Sequence, residues 1–257
     1  MEHKKPEPKT VWMVSGNKGG VGKSLFCLAL ASALEMRKMR FAILDGDKRT
    51  SDVHSTFLRK CPAMEADFRN LNPGYSQDPF DERYEKKVTQ LLNASPHLII
   101  NTPDGADNIL MKWFDVTLRH TETNNCKFKF MYLMSDRPDG LNMLPDLIKR
   151  FSYLYPIRNL HFGHEDLFVA FNRDYAHNFK KVIDLPVLRG EELRMLFDLK
   201  TYPAEAIKLQ GEQGMYALPT LSRSRLMGWQ LQVIEAIDDI IENNHKPSDE
   251  PNVRALS

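Results

Sequence analysis

Short apolar runs rich in β-branched and aromatic residues alternate along this chain with longer stretches whose apolar positions recur at helical spacing. Val11 to Ser15, Phe41 to Asp45, His97 to Asn101, Phe128 to Met134 and Leu167 to Phe171 read as buried strands, each closed by a polar or glycine-containing turn. Lys23 to Met36 is apolar on nearly every side, the pattern of a helix packed tightly beside a sheet. Leu226, Trp229, Val233, Ile237 and Ile240 share one helical face and predict a last amphipathic helix docked on the core. Strands alternating with helices predict an α/β fold, a doubly wound, mostly parallel sheet with right-handed crossovers and helices on both faces. Sheets of this kind take ligands at the carboxyl ends of their strands.

The rhythm breaks between Cys61 and Phe80, where Pro62, Asn70, Pro73, Gly74 and Pro79 predict an irregular insertion over about residues 61–80. A chain of 257 residues can bury a full core, and one domain over residues 10–243 is expected between disordered ends at 1–9 and 244–257. Net charge is +1, so contact with nucleic acid would need a local basic patch rather than the field of the whole molecule. Cys27, Cys61 and Cys126 are odd in number and lack metal-ligand spacing, which disfavours a disulfide framework and a zinc or iron–sulfur site. Met1 to Lys9 is polar, unlike a signal peptide, and no apolar run approaches the roughly 20 residues of a membrane span. A cytoplasmic protein without membrane attachment is expected.

The stretch Ser15 to Ser24, SGNKGGVGKS, follows the first strand and opens the first long helix. In that context a glycine loop cradles phosphates, because backbone N–H groups converge and the helix N-terminus carries partial positive charge. Gly19, Gly20 and Gly22 allow close approach, Lys23 is placed to reach the β- and γ-phosphates, and the Ser24 hydroxyl to ligate Mg²⁺. The usual loop has glycine five places before its last glycine. Here that place holds Asn17, and the next holds a second lysine, Lys18.

Lys18-Gly19-Gly20-Val21-Gly22-Lys23-Ser24 resembles the deviant Walker A motif of the ParA and MinD family of P-loop ATPases. The resemblance implies the P-loop NTPase fold, ATP as ligand bound by residues Asn17 to Ser24, and a homodimer in the ATP state. In that dimer the signature lysine, here Lys18, reaches the phosphates held by the other subunit, which ties association to the γ-phosphate. Ile43-Leu44-Asp45-Gly46-Asp47 is similar to the family's Asp-x-Asp; Asp47 is then the residue that orients the attacking water beside Mg²⁺. Lys48 and Arg49 follow where the family usually has proline and glutamine. Leu98 to Gly105 looks like the Walker B strand with its Thr102-Pro103, but Asn101 replaces the carboxylate. Asn101 can meet Mg²⁺ only through a bound water and brings no charge, so slow hydrolysis is expected, with Asp104 as a candidate to compensate.

The same resemblance assigns Asn172, in Phe171-Asn172-Arg173-Asp174, to the adenine edge, and Leu185 to Arg189 to the strand and loop that close over the base. Two roles follow. One is a ParA-type switch ATPase in plasmid partition or positioning, with a partner protein that stimulates it or carries cargo, and with non-specific DNA contacted through Arg223, Arg225, Lys180 and Lys181. The other is an ATP-binding adaptor of a conjugative transfer or plasmid maintenance system that works through protein contacts. A nitrogenase-type reductase is disfavoured, since Cys126 lacks a suitably placed second cysteine. Membrane positioning of the MinD kind is disfavoured by the absence of a terminal helix with apolar and basic faces.

Overall fold

The apolar runs pair into one parallel sheet because each is buried on both faces and each is separated from the next by a crossover long enough to return the chain. A computed structural model describes residues 8–16, 18–68, 82–106, 126–188, 190–209 and 218–242. In chain order the elements are β1 (Lys9–Ser15), α1 (Lys23–Met36), β2 (Phe41–Asp45), α2 (Asp52–Phe57), β3 (Ala63–Glu65), α3 (Glu82–Ala94), β4 (His97–Asn101) and β5 (Cys126–Met134). There follow α4 (Leu144–Arg150), β6 (Leu154–Asn159), α5 (Val169–Asp174), β7 (Ile183–Leu185), α6 (Glu191–Asp198), α7 (Pro203–Lys208) and α8 (Thr220–Glu242).

All seven strands are parallel in the order β3-β2-β4-β1-β5-β6-β7. Alternate side chains of β1 enter opposite cores: Trp12 and Val14 pack with α1, α7 and α8, whereas Val11 and Met13 pack with α3 and α4. The expected faces are thus both covered. α1 is buried along its length from Phe26 to Leu34, and α8 buries the predicted Leu226, Trp229, Val233, Ile237 and Ile240. Register matters most at the carboxyl edge, where Val14, Asn101 and Asp45 stand side by side on β1, β4 and β2.

Four expectations about the elements are corrected. Leu167 to Phe171 is not a strand: a short 3-10 turn, Glu165–Leu167, leads into α5. Phe168 and Phe171 are buried three residues apart while Leu167 and Val169 are exposed, which is helical spacing inside a run too short to show it. The strand lies earlier, at β6, where Pro156 hid it. Proline is tolerated there because β7 pairs only with Ile157 to Asn159, so the missing N–H costs no bond to β7. Thirdly, the insertion begins with regular structure, since Ala63–Glu65 pairs with Ile43 to Asp45 as the edge strand β3. Lys9 likewise belongs to β1 rather than to a disordered segment. The remainder of that insertion, at 69–80, the first seven residues and the tail at 244–257 lie outside the described residues.

No helix of the described residues is long and apolar enough to cross a membrane. Lys129, on β5, is buried inside the fold; its Nζ donates to the Ile240 carbonyl of α8 and lies 4.5 Å from the centroid of the Trp12 ring. Burial, and then the charge of Lys127, push its amine down to about 8. The unfolded chain therefore holds more protons than the folded one from about pH 8 to the ordinary value of 10.5, so stability rises with pH across that window. Against Lys129→Met, the wild type should gain about 3 kcal/mol between pH 8 and pH 10.5 in urea denaturation, at roughly 1.4 kcal/mol per pKa unit. A constant difference between the two proteins would mean that the Lys129 amine is not held below its ordinary value.

Candidate functional site

The loop from β1 to α1 has a shape that glycine makes possible. Gly22, the residue before α1, has φ of +100°, and a Cβ there would lie 2.6 Å from Asn159 Nδ2. That amide instead donates to the Val21 carbonyl at 2.9 Å, tying the loop to the end of β6. The first turn of α1 contains no acidic residue and no side chain caps it, so its N–H groups face the loop open to an anion.

Lys23 runs back under the loop with its stem buried. Its Nζ donates to the Lys18 carbonyl at 2.9 Å and to Asp104 Oδ1 at 2.6 Å, with the Gly16 carbonyl at 3.5 Å. Asp104, from the turn after β4, rests directly on the glycines: its Oδ2 lies 2.5 Å from the position a Cβ on Gly19 would take. A carboxylate therefore neutralises the loop lysine from within the chain. Lys18 is also held internally, by an ion pair with Asp139 in the 3-10 turn Pro138–Leu141 after β5. The hydrogen bond from Lys18 is the main reason that the Asp139 carboxyl sits below its usual range. Asn17 lies outside the described residues.

At the ends of β2 and β4 the arrangement turns on Asp45, which is fully buried. Its Oδ1 accepts from Asp47 N at 3.1 Å and Asn101 Nδ2 at 2.9 Å; its Oδ2 accepts from Val53 N at 3.1 Å and His54 N at 3.0 Å, in the first turn of α2. Burial still pushes this carboxyl above its usual range, against those hydrogen bonds. Asn101 turns its oxygen to the Cys27 thiol at 3.8 Å. Burial, and then the charge of Asp45, hold that thiol well above its ordinary value, so Cys27 remains protonated. Thr102 donates to the Val14 carbonyl at 3.0 Å and pairs with the Ser15 hydroxyl, stitching β4 to β1.

Asp47 is half-buried and accepts from Arg49 N at 3.3 Å and Thr50 Oγ1 at 3.2 Å, which makes it the residue that shapes its own turn. With Ser24, Lys23, Asn101 and Asp104 it lines one cavity of about 520 Å³ at the carboxyl edge of the sheet. The structure thus brings Gly20, Gly22, Lys23, Ser24, Asp47 and Asn101 into a single site.

Asn172 stands elsewhere. It is on α5, where its Oδ1 accepts from Arg158 at 3.0 Å and its Nδ2 donates to the Glu165 carbonyl at 2.9 Å. After the phosphate loop and Asn101, the further amide at the cavity is Asn159, which the sequence reading missed together with His161; its cue was the polar residue ending the run from Leu154 to Ile157. Of the loop after β7, Pro186 and Leu188 line the cavity, and Arg189 is outside the described residues.

The basic candidates form no common patch. Arg225 bonds Glu192 at 2.7 Å and Ser222 at 2.8 Å, and Arg223 reaches the Leu218 carbonyl at 3.5 Å. Lys181, beside Lys180 in sequence, pairs with Asp239 at 2.9 Å, fourteen residues (239 minus 225) along α8 from Arg225 and so about 21 Å away along its axis.

Compared with solved structures, the chain is similar to a protein described as a plasmid partition protein from Borrelia burgdorferi B31 bound to AMPPNP, with a TM-score of 0.51 and 13% identity over 88% of this chain and 99% of that one. It is equally similar to the nucleotide-binding protein from Archaeoglobus fulgidus in complex with ADP, with a TM-score of 0.50 and 13% identity over 81% and 92%. The fold is that of a P-loop NTPase. Protein MobD of Acidithiobacillus ferrooxidans is 24% identical over 170 residues, 64% of this chain and 69% of that protein. The chain spans just over half, 56%, of the signal recognition particle receptor FtsY from Elizabethkingia anophelis, with a TM-score of 0.45. No family model matches.

The contact between Asn101 and Asp45 can be tested directly. Asn101→Asp would place two carboxylates within hydrogen-bond distance in a buried site, so one must keep its proton and the folded state then holds more protons than the unfolded one. The penalty is full above the raised value and shrinks as pH falls toward the ordinary carboxylate range. Urea midpoints should show Asn101→Asp less stable than the wild type by about 1–3 kcal/mol at pH 8, and by clearly less at pH 5. An equal gap at both values would mean that the two positions do not share charge.

Proposed function

We propose that this protein is an ATP-dependent dimerising switch ATPase of the ParA type, acting in plasmid partition or DNA positioning in the cytoplasm. The observation that carries the reading is the placement of Lys23 and Ser24 at the open N-terminus of α1, facing a cavity built by the loops after β1, β2, β4, β6 and β7. Backbone N–H groups and Lys23 would take the phosphates, and Ser24 would hold Mg²⁺. Asn101, whose amide donates to Asp45 and whose oxygen accepts from Cys27, would meet a metal-bound water only through the remaining lone pair of that oxygen, and Asp47, in the same wall, would orient the attacking water. When bound, Mg²⁺ supplies charge neutralisation on the phosphates.

In this reading the carboxylates on the two loop lysines are exchanged for phosphates. Asp104 leaves Lys23 when nucleotide enters, and Lys18 leaves Asp139 to serve the phosphates of a second copy. The nucleotide ligands of the Borrelia and Archaeoglobus structures support it.

A second reading, an ATP-binding adaptor of a conjugative transfer or plasmid maintenance system with slow or no hydrolysis, draws on Asn101 in place of a carboxylate and on the stretch similar to Protein MobD. The internal ion pairs of Arg225 and Lys181 also favour protein contacts over a DNA-binding face.

Titration calorimetry with Mg·ATP should give binding by the wild type and a loss of tenfold or more in Lys23→Ala, on the scale of one charge-assisted phosphate contact. In light scattering with a non-hydrolysable ATP analogue the wild type should double its mass. Lys18→Ala should still bind nucleotide but remain a monomer, and a Lys18→Ala dimer would refute the role in trans. Retardation of arbitrary duplex DNA with ATP but not ADP, weakened by salt, would decide for partition; its absence beside capture of a co-encoded partner would decide for the adaptor.

A further inference from the structure

The cavity has two chemically different ends, set by the order of the strands. The loop after β7 supplies Pro186 and Leu188, an apolar wall suited to a flat base. The loops after β2 and β4 supply Asp47, Arg49, Thr50 and Asp104. The phosphate loop after β1 lies between them, because the sheet runs β2-β4-β1-β5-β6-β7. A nucleotide with its base at the apolar end would extend its phosphates past the glycine loop toward the loop after β2. Its last phosphate, rather than its base, would then lie toward Arg49.

The cations available there differ in one respect. Lys23 is engaged by Asp104, and Lys18 by Asp139. Arg49 lines the cavity and is exposed; its backbone N–H is fixed by Asp47 Oδ1 at 3.3 Å, and its guanidinium has no hydrogen bond or ion pair among the described residues. The turn that carries it is set by Asp47 and Thr50, so the chain around Arg49 is ordered while its charge is uncommitted. A planar guanidinium can fork onto two oxygens of one phosphoryl group, which an ammonium cannot do.

Resting on the nucleotide-site reading above, we propose that Arg49 is the residue that distinguishes a nucleoside triphosphate from the diphosphate, by binding the terminal phosphoryl oxygens within its own chain. Lys23 and the loop N–H groups hold the phosphates common to both nucleotides, so removal of Arg49 selectively lowers affinity for the triphosphate.

Displacement of a fluorescent nucleotide from the full chain, with Mg²⁺, tests this with ATP, its non-hydrolysable analogue and ADP against wild type, Arg49→Gln and Arg49→Lys. Arg49 is exposed and its side chain has no partner among the described residues, so both variants should melt with the wild type. The expected result is a preference of the wild type for the triphosphates. Arg49→Gln should lose about tenfold in their affinity with ADP changed less than twofold, and Arg49→Lys should fall between, in keeping with a charge-assisted bidentate contact. An unchanged ratio of triphosphate to diphosphate affinity in Arg49→Gln, or an equal loss for both, overturns the role of Arg49 and leaves the nucleotide site standing. A wild type that binds none of the three overturns the nucleotide site itself, and the role of Arg49 with it.

Discussion

A single buried carboxylate fixes the geometry on which the candidate site depends. Asp45 ends β2 and gathers N–H groups from Asp47, from the first turn of α2 and from the Asn101 amide of β4. Left unpaired in that apolar surround it would be costly; with four donors it joins two strands, a loop and a helix at one point. Parallel register puts β2 and β4 ends level, so residue 101 necessarily faces residue 45. At residue 101 an amide can therefore donate to Asp45, where a carboxylate would have to share a proton with it.

The same logic of compensated charge governs the phosphate loop. Two lysines within six residues, beside the partial positive charge at the start of α1, form a strongly cationic element. Asp104 and Asp139, from the turns after β4 and β5, balance it from within the chain. Neither carboxylate is fully buried, so each can be given up to water without a large desolvation penalty. The folded chain therefore presents a loop whose two lysines are neutralised from within, by carboxylates that remain partly open to water.

Much of this was legible from residue order, and the exceptions have physical reasons. The strands β1, β2, β4 and β5, the helix α1 and the buried face of α8 follow from apolar periodicity long enough to be unambiguous. The loop from Lys18 to Ser24 follows from chemistry that tolerates few alternatives. At β6 a proline disguised a strand whose partner is too short to need its N–H, and at Leu167 to Phe171 five residues were too few to separate a strand from a helical turn. The latter error displaced the expected amide to Asn172, which serves Arg158, when the amide that lines the cavity from the end of β6 is Asn159. The partners of Lys18 and Lys23 lie 121 (139 minus 18) and 81 residues away along the chain, and no local pattern encodes such a meeting.

The bond from Asn159 to the Val21 carbonyl spans 138 positions. Contacts so remote close slowly, since much of the chain must be ordered before they are rewarded. During synthesis, a nascent chain that has emerged only as far as β5 already contains every glycine and lysine of the loop but lacks the amide that anchors it. The anchor of the loop thus arrives late in biogenesis, with the sixth strand.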